Sequence, residues 1–345
     1  MKIANFNLQT DGIFIVAELS ANHNGSLENA KKTIKEAAKT GANAIKLQTY
    51  TADTLTLDCD NKYFRIDNGS LWDGDTFYKL YQKAYTPWEW HEELFHVAKE
   101  EGLVCFSSPF DKSAVDLLES LNTPAYKIAS FEIQDIGLIQ YAASKMKPMI
   151  LSTGIAELED IELAIKSIKE MGNEEIILLK CTSAYPASLE EMNLKTITDM
   201  QSRFKLPIGL SDHTLGISVP VASAALGACV IEKHFIADRA IGGADASFSL
   251  EPQAFKQMVD AVRDVEKAMG KVEYNLSDKI KKNRIFARSL FISEDVEEGE
   301  LITEKNVRSI RPAHGLHPKY LNDILGKTFT CKAEKGTPLD WSYIK

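Results

Sequence analysis

Eight short runs of apolar and β-branched residues punctuate the chain: Phe14–Ala17, Ala44–Leu47, Leu103–Phe106, Ala125–Ala129, Met149–Leu151, Ile176–Leu179, Pro207–Leu210 and Cys229–Ile231. Each is continuous rather than alternating, as in a strand covered on both faces of its sheet. Between most of them the apolar positions recur with the period of a helix. In Leu27–Thr40, residues Ala30, Ile34, Ala37 and Ala38 share one face while Lys31, Lys32, Lys35 and Lys39 lie off it. Ser113–Leu121, Ile136–Lys145, Glu157–Met171 and Pro252–Met269 read the same way. Strands that alternate with helices predict an α/β fold with a parallel sheet. Eight such units in about 270 residues predict a (β/α)8 TIM barrel. A doubly wound sheet normally has fewer strands and often a glycine-rich phosphate turn, and the sequence holds no Gly-x-Gly-x-x-Gly.

Polar residues follow every run. Glu18 follows the first; Lys46 and Gln48 close the second; Ser107 and Ser108 the third. Lys127, Ser130 and Glu132 surround the end of the fourth, and Ser152 and Thr153 end the fifth. Thr182, Ser183 and Tyr185 follow the sixth, Ser211, Asp212 and His213 the seventh, and Glu232, Lys233 and His234 end the eighth. In a barrel these ends meet at one mouth, where catalytic groups collect. For any single corner, such as Gly209–Gly216, a turn with a helix cap is the simpler account. Capping explains the serines, but Lys46, Lys127, His213 and His234 are poor N-caps.

The 345 residues are 44% hydrophobic, enough for a large domain and a small one. The net charge of −9, with no basic tract, argues against nucleic-acid binding but not against a local anion pocket. Five cysteines, an odd number without a Cys-x-x-Cys pair, point to a reducing cytoplasm. No signal-peptide pattern and no run of membrane-span length is present, so no membrane partner is expected.

Two lysines and several hydroxyls at one mouth predict a pocket for an anionic group, most simply a phosphate. Solvated strand-end lysines are the plainer alternative for either one alone. His213 and His234 end adjacent strands and can hold a divalent metal with open positions. The mixed nitrogen and oxygen surroundings suit Mn²⁺ better than Mg²⁺ or Ca²⁺, which prefer oxygen, with Mg²⁺ or Co²⁺ kept as alternatives. A pair of neutral, hydrogen-bonded histidines is the competing account. Glu18, Glu132 and Asp245 are then candidates for proton transfer or for orienting a substrate hydroxyl. His23 is read as shaping the first loop, His91 and His96 as structural, and His314 and His317 as surface residues.

Tyr50–Thr86 is too long for a simple βα loop. Its aromatics, among them Trp72, predict an ordered lid or interface. The boundaries expected are a barrel over 1–270, a charged linker over 271–284 and a small, mostly β module over 285–345. β-like runs are expected there at Ser289–Ile292 and Thr328–Cys331. Arg308 and Arg311 are ordinary surface arginines on this basis.

Phe14–Gly25, Lys46–Thr49, Ser107–Phe110, Ala125–Ser130, Leu151–Gly154, Cys181–Pro186, Gly209–Gly216 and Ile231–Phe235 together resemble the sialic acid synthase family. The resemblance runs over nearly the whole chain and makes the tail an antifreeze-like (SAF) module. It implies condensation of phosphoenolpyruvate with an N-acetylated sugar aldehyde, giving a nine-carbon acid and phosphate. It implies a metal at His213 and His234. Lys46, Lys127, Ser130, Ser152 and Ser211, with Ser108 and Ser183, would bind phosphoenolpyruvate. Glu18 and Glu132 would act near the reacting centre, and Gln48, Tyr185 and Asp245 on the sugar side. Arg311 would reach the opposite subunit's site in a domain-swapped homodimer.

Ser20–His23, Leu71–Asp73 and Thr86–His91 resemble the branch of the family that takes 2,4-diacetamido-2,4,6-trideoxy-L-altrose. The nearest rivals run the same chemistry on N-acetylmannosamine or on a 2,4-diacetamido mannose derivative. The tail alone would also fit a non-catalytic carbohydrate- or ice-binding protein, which needs no pair of metal ligands.

Overall fold

A computed structural model describes residues 1–67, 69 and 72–345; Leu71, one of the residues carrying the finer resemblance, lies outside the described residues. Residues Met1–Gly270 form one compact unit and Lys271–Lys345 another.

Eight parallel strands close on themselves in the first unit. They are β1 (Phe14–Glu18), β2 (Ala44–Thr49), β3 (Val104–Pro109), β4 (Tyr126–Ile128), β5 (Met149–Ser152), β6 (Ile176–Cys181), β7 (Ile208–Asp212) and β8 (Val230–His234). Each pairs with its sequence neighbour, and β8 pairs with β1 in the register His234 to Glu18. A short hairpin, Lys2–Ile3 against Phe6–Asn7, precedes the barrel. Most strands run one to three residues beyond the apolar runs, because ladder hydrogen bonds join backbones and do not stop at polar side chains.

Side chains alternate between the two faces of the wall. Phe14, Val16, Phe106, Ile150, Ile177 and Leu179 pack inside the barrel. Their neighbours Ile15, Ile45, Tyr126, Leu151 and Leu178 pack outward against helices. Gly209 is an inward position of β7, and a Cβ there would meet the Val230 carbonyl at 2.5 Å and Leu179 Cδ2 at 2.6 Å. Only the missing side chain lets β7 close on β8.

The outer helices follow the same logic. Leu27–Lys39 is capped by Ser26, which accepts from Asn29 N–H, and buries Ala30, Thr33, Ile34 and Ala37 on one face. Pro252–Met269 begins with proline at its first position and buries Phe255, Met258, Val259 and Val262 at the i, i+3, i+4, i+7 spacing. The long segment after β2 holds two helices, Ala52–Leu55 and Phe77–Ala84. Tyr50 anchors it edge-on to Tyr81 and Phe110, with ring centroids 5.8 and 5.1 Å away.

In the second unit, residues expected as a linker carry an exposed helix, Asp278–Lys282. Ser289–Ile292 (β9) pairs antiparallel with Val307–Ile310 (β10), a strand absent from the sequence expectation. Thr328–Cys331 is not a strand: Thr328 and Phe329 each make one isolated bridge, to Leu301 and Ile344, so no continuous partner supports a ladder. Leu290, Ile292, Val307, Phe329 and Leu339 form this unit's own core. No helix among the described residues is long and apolar enough to cross a membrane.

Gly209→Ala is expected to destabilise the barrel by about 1–3 kcal/mol, the usual cost of overpacking against backbone. Thermal unfolding checks this; an unchanged midpoint would show that the wall gives way at no cost.

Candidate active site

Continued upward, the inward positions turn polar on every strand. They are Glu18, Lys46, Ser108, Lys127, Ser152, Cys181, Ser211 and Glu232, one from each of β1 to β8, and all are buried. Gln48, His213 and His234 stand one pleat higher. Eight expected corners thus converge on the C-terminal mouth, where barrel enzymes place their chemistry. Glu232, expected at the mouth but given no role, and Cys181, not expected there, belong to this ring. Alternation would have shown them, since Val230, Glu232 and His234 are on one face, as are Leu179 and Cys181.

Four charged side chains meet in the ring, two carboxyls on the adjacent strands β8 and β1 and two ammonium groups on β2 and β4. Lys46 Nζ lies 2.7 Å from Glu18 Oε2 and 3.7 Å from Glu232 Oε1, and Lys127 Nζ lies 3.8 Å from Glu232 Oε1. Burial pushes the Glu18 carboxyl up to about 7 against the pull of Lys46. Burial alone would raise Glu232 too, but Lys127 and Lys46 outweigh it and hold this carboxyl below its ordinary value. Burial lowers Lys127. Gln48 Nε2 donates to Glu18 at 3.2 Å, Lys46 to Ser108 Oγ at 3.4 Å and Ser211 Oγ to Glu232 at 3.1 Å.

Beside the lysines the backbone comes close to the hydroxyls. Gly154 N–H donates to Ser130 Oγ at 3.1 Å, and Ser130 reaches Cys181 Sγ at 3.5 Å. A Cβ on Gly154 would overlap the Ser183 hydroxyl and meet Ser130 Oγ at 2.8 Å. A side chain here would have to push these groups aside, and glycine leaves the Gly154 N–H and two hydroxyls close together. Ser183 also lies 3.8 Å from Cys181 Sγ. Burial would raise that thiol, yet the neighbouring His213 outweighs it and brings it down to about 7.

The His213 and His234 ring centroids are 5.3 Å apart. His213 Nδ1 sits 3.0 Å from the Thr182 carbonyl, an acceptor, so Nδ1 carries a proton, and Nε2 presents a lone pair when the ring is neutral. His234 is held well below its usual range by burial, and its Nδ1 has no hydrogen-bond partner among the described residues. Asp245 Oδ2 is 3.8 Å from it, and burial raises that carboxyl. Burial would lower His213 too, but the neighbouring Cys181 outweighs it and raises this imidazole, so a divalent cation would displace a proton from it; the neutral His234 with its orphaned nitrogen fits such a cation directly. No group of three or more His, Cys, Asp or Glu side chains forms a ready cage among the described residues, so other donors must come from substrate or water. Tyr185 packs on His213 at 4.4 Å and on Phe248 at 5.4 Å, and Trp72 of the insertion stands 5.7 Å from Tyr185.

Glu132, in the turn after β4, has a buried Oε2 without a hydrogen-bond partner among the described residues, and burial pushes its carboxyl up to about 7. Ser152 Oγ and Glu232 Oε2 are buried without a hydrogen-bond partner in the same way. Such atoms are rare in native proteins, and several at one mouth mark the place of a ligand. Arg311 belongs to the second unit, where it is exposed. His23 shapes the first loop, accepting Gly25 N–H at 3.0 Å; His91 is buried with Thr49, and His96 is exposed beside Glu100.

A cavity of about 490 Å³ lies among Ala21, Asn24, Trp72, Asp73, Gly243 and Ala244, between the first loop, the insertion and the loop carrying Asp245. A larger one, about 900 Å³, lies where the strands begin, near Phe14, Asn43 and Val104, away from the charge ring. The smaller cavity lies on the side where the strands end, with none of the ring residues in its described lining, and another of about 820 Å³ is lined by Thr153, Gly154, Cys181 and Thr182.

Fold and site define a (β/α)8-barrel protein with two buried lysines beside a histidine pair at its mouth. Residues 33–274 match the NeuB family model, and residues 287–345 match the SAF domain. The chain belongs to the NeuB family. It is 50% identical to the pseudaminic acid synthase of Campylobacter jejuni subsp. jejuni serotype O:23/36 (strain 81-176), over 98% of each chain. It is 46% identical to that of Helicobacter pylori (strain ATCC 700392 / 26695), over 94% of this chain and 96% of the relative. The crystal structure of the spore coat polysaccharide biosynthesis protein SpsE from Bacillus subtilis superposes with a TM-score of 0.68 at 32% identity, covering 100% of this chain and 99% of the other.

Glu132→Gln keeps the shape of the side chain and removes its ionisation. A carboxyl whose midpoint is raised from 4.5 to about 7 weakens the fold as pH rises through that window, because the folded state holds its proton longer. The variant is expected to unfold at a higher temperature than the wild type at pH 8 and near the wild-type value at pH 5. Equal shifts at both pH values would show that Glu132 ionises freely in the fold.

Proposed function

We propose that this chain is a pseudaminic acid synthase, condensing phosphoenolpyruvate, water and 2,4-diacetamido-2,4,6-trideoxy-L-altrose to pseudaminic acid and phosphate. The observation that carries the chemistry is the mouth itself: two buried lysines, converging hydroxyls and orphaned polar atoms beside paired imidazoles. The choice of sugar rests on the 46–50% identity to relatives named for that product.

In this reading Lys46 and Lys127 bind the phosphate and carboxylate of phosphoenolpyruvate. Ser130, Ser152, Ser211 and the Gly154 N–H complete the cradle, with Ser108 and Ser183 beside it. His213 and His234 would hold a divalent cation, Mn²⁺ by preference, which when bound supplies Lewis-acid polarisation of the open-chain aldehyde. C3 of phosphoenolpyruvate forms the new bond to the aldehyde carbon. Water adds at C2, and the resulting tetrahedral centre loses phosphate by C–O cleavage. The new hydroxyl takes one proton and the water gives one up. A Glu132 carboxyl with a midpoint near 7 can do either. Glu18, held by Lys46 and Gln48, orients the reacting centre, while Tyr185, Gln48 and Asp245 face the sugar. Arg311 reaches the opposite subunit's site in a domain-swapped homodimer, and the enzyme works in the cytoplasm.

The test is phosphate release by the purified protein with phosphoenolpyruvate and Mn²⁺. Three sugars are compared: the altrose derivative, N-acetylmannosamine and the 2,4-diacetamido mannose derivative. Release with the altrose sugar alone, abolished by chelator, is the expected result. Release with another sugar would keep the mechanism and change the substrate; release in chelator would remove the metal.

The sugar's 6-methyl replaces a hydroxyl, and the Trp72–Tyr185 pair offers it an apolar wall. Trp72→Gln is expected to shrink the kcat/KM preference for the altrose sugar by about tenfold or more, the worth of a methyl-sized apolar contact. An unchanged preference would place the discrimination elsewhere.

A further inference from the structure

The outward face of the barrel wall is largely apolar, with Ile15, Ile45, Ile128, Leu151, Leu178 and Ile231 packed under the helices. Directly behind the two histidines this pattern breaks. Asp212 and Lys233 occupy outward positions of β7 and β8, with side chains 0% and 1% exposed. Lys233 Nζ donates to Asp212 Oδ2 at 2.5 Å and to the Thr214 carbonyl at 2.5 Å. Asp212 also accepts the Thr214 N–H on Oδ1 and the Thr214 hydroxyl on Oδ2, each at 3.0 Å.

The place of this cluster matters. The β7–β8 ladder pairs Leu210 with Ile231, Ser211 with Glu232 and Asp212 with Lys233, and there it ends. His213 and His234 stand one residue past the last pair, so the ladder does not set their separation. The ion pair continues where the ladder stops: one ammonium on β8 grips the residues before and after His213. On the far side Ala187 N–H donates to the His213 carbonyl at 3.0 Å. A buried ion pair adds little stability over apolar residues of the same volume, but it permits one geometry.

We propose that Asp212 and Lys233 are positioning residues that hold His213 and His234 at the spacing a divalent cation requires. The inference rests on the reading of those histidines as metal ligands. Supports of this kind, one layer behind the ligands, govern affinity by fixing ligand orientation.

The test is a calorimetric titration of the full chain with Mn²⁺ alone, with thermal unfolding of the metal-free protein alongside. His213→Ala is expected to abolish binding. The double variant Asp212→Leu/Lys233→Met removes both charges together. It is expected to unfold near the wild-type temperature and to bind Mn²⁺ about tenfold to a hundredfold more weakly. Thr214→Val removes one hydroxyl at nearly constant shape, and a smaller loss in the same direction is expected. It decides the matter if the double variant does not fold. Wild-type affinity in the folded double variant, or in Thr214→Val where the double variant fails, overturns the positioning role and leaves the metal reading standing if His213→Ala has lost binding. A wild-type protein that does not bind Mn²⁺, or a His213→Ala variant that binds it equally well, overturns both.

Discussion

A closed ring of parallel strands gives its inward side chains no water, and at the mouth of this barrel four of them are charged. They are tolerated because each carboxyl faces an ammonium: Glu18 and Glu232 share Lys46, and Glu232 also faces Lys127. Removing one member would leave an uncompensated buried charge, which typically costs about 3–5 kcal/mol. The rest of the site depends on this balance. The two lysines are already held in place, and any anion proposed to enter would compete with the carboxyls for them. Burial has already moved Glu18 up to about 7, so of the two carboxyls this one gives up its charge more readily.

The architecture divides labour by layer. Below the ring, Phe14, Val16, Phe106, Ile150 and Leu179 fill the barrel and need nothing from the ligand. Each such buried side chain contributes roughly 1.5–3 kcal/mol. Above it, unsatisfied atoms of Glu132, Ser152, Glu232 and His234 are carried at a cost that the apolar layers offset. Active sites commonly trade stability for readiness in this way.

The fold was legible because continuous apolar runs mean doubly covered strands, and because the helical faces were regular. Most of the site was legible because lysine and histidine are poor caps, so their recurrence at strand ends needed another cause. Cys181 was not read in this way, Glu232 was placed at the mouth without a role, and Asp212 and Lys233 were expected there although they face outward. Apolarity ends before the ladder does, and ending each strand at its last apolar residue hides the alternation that assigns Glu232 inward and Lys233 outward. Likewise β10, Val-Arg-Ser-Ile, is too short and too polar to announce itself, and its existence depends on β9 as partner. The left-over polar atoms could not be counted from sequence, since their lack of partners is a property of three-dimensional packing.

Alternation also restricts how such a gene can change. Losing or gaining one codon within a strand would turn every later side chain of that strand to the other face, placing Ile231 in the charged mouth or Glu232 under a helix. Length can vary freely only in the connections. The longest of them, after β2, brings Trp72 against Tyr185. That one loop can change by insertion and deletion, while the charged ends of the strands can change by substitution alone.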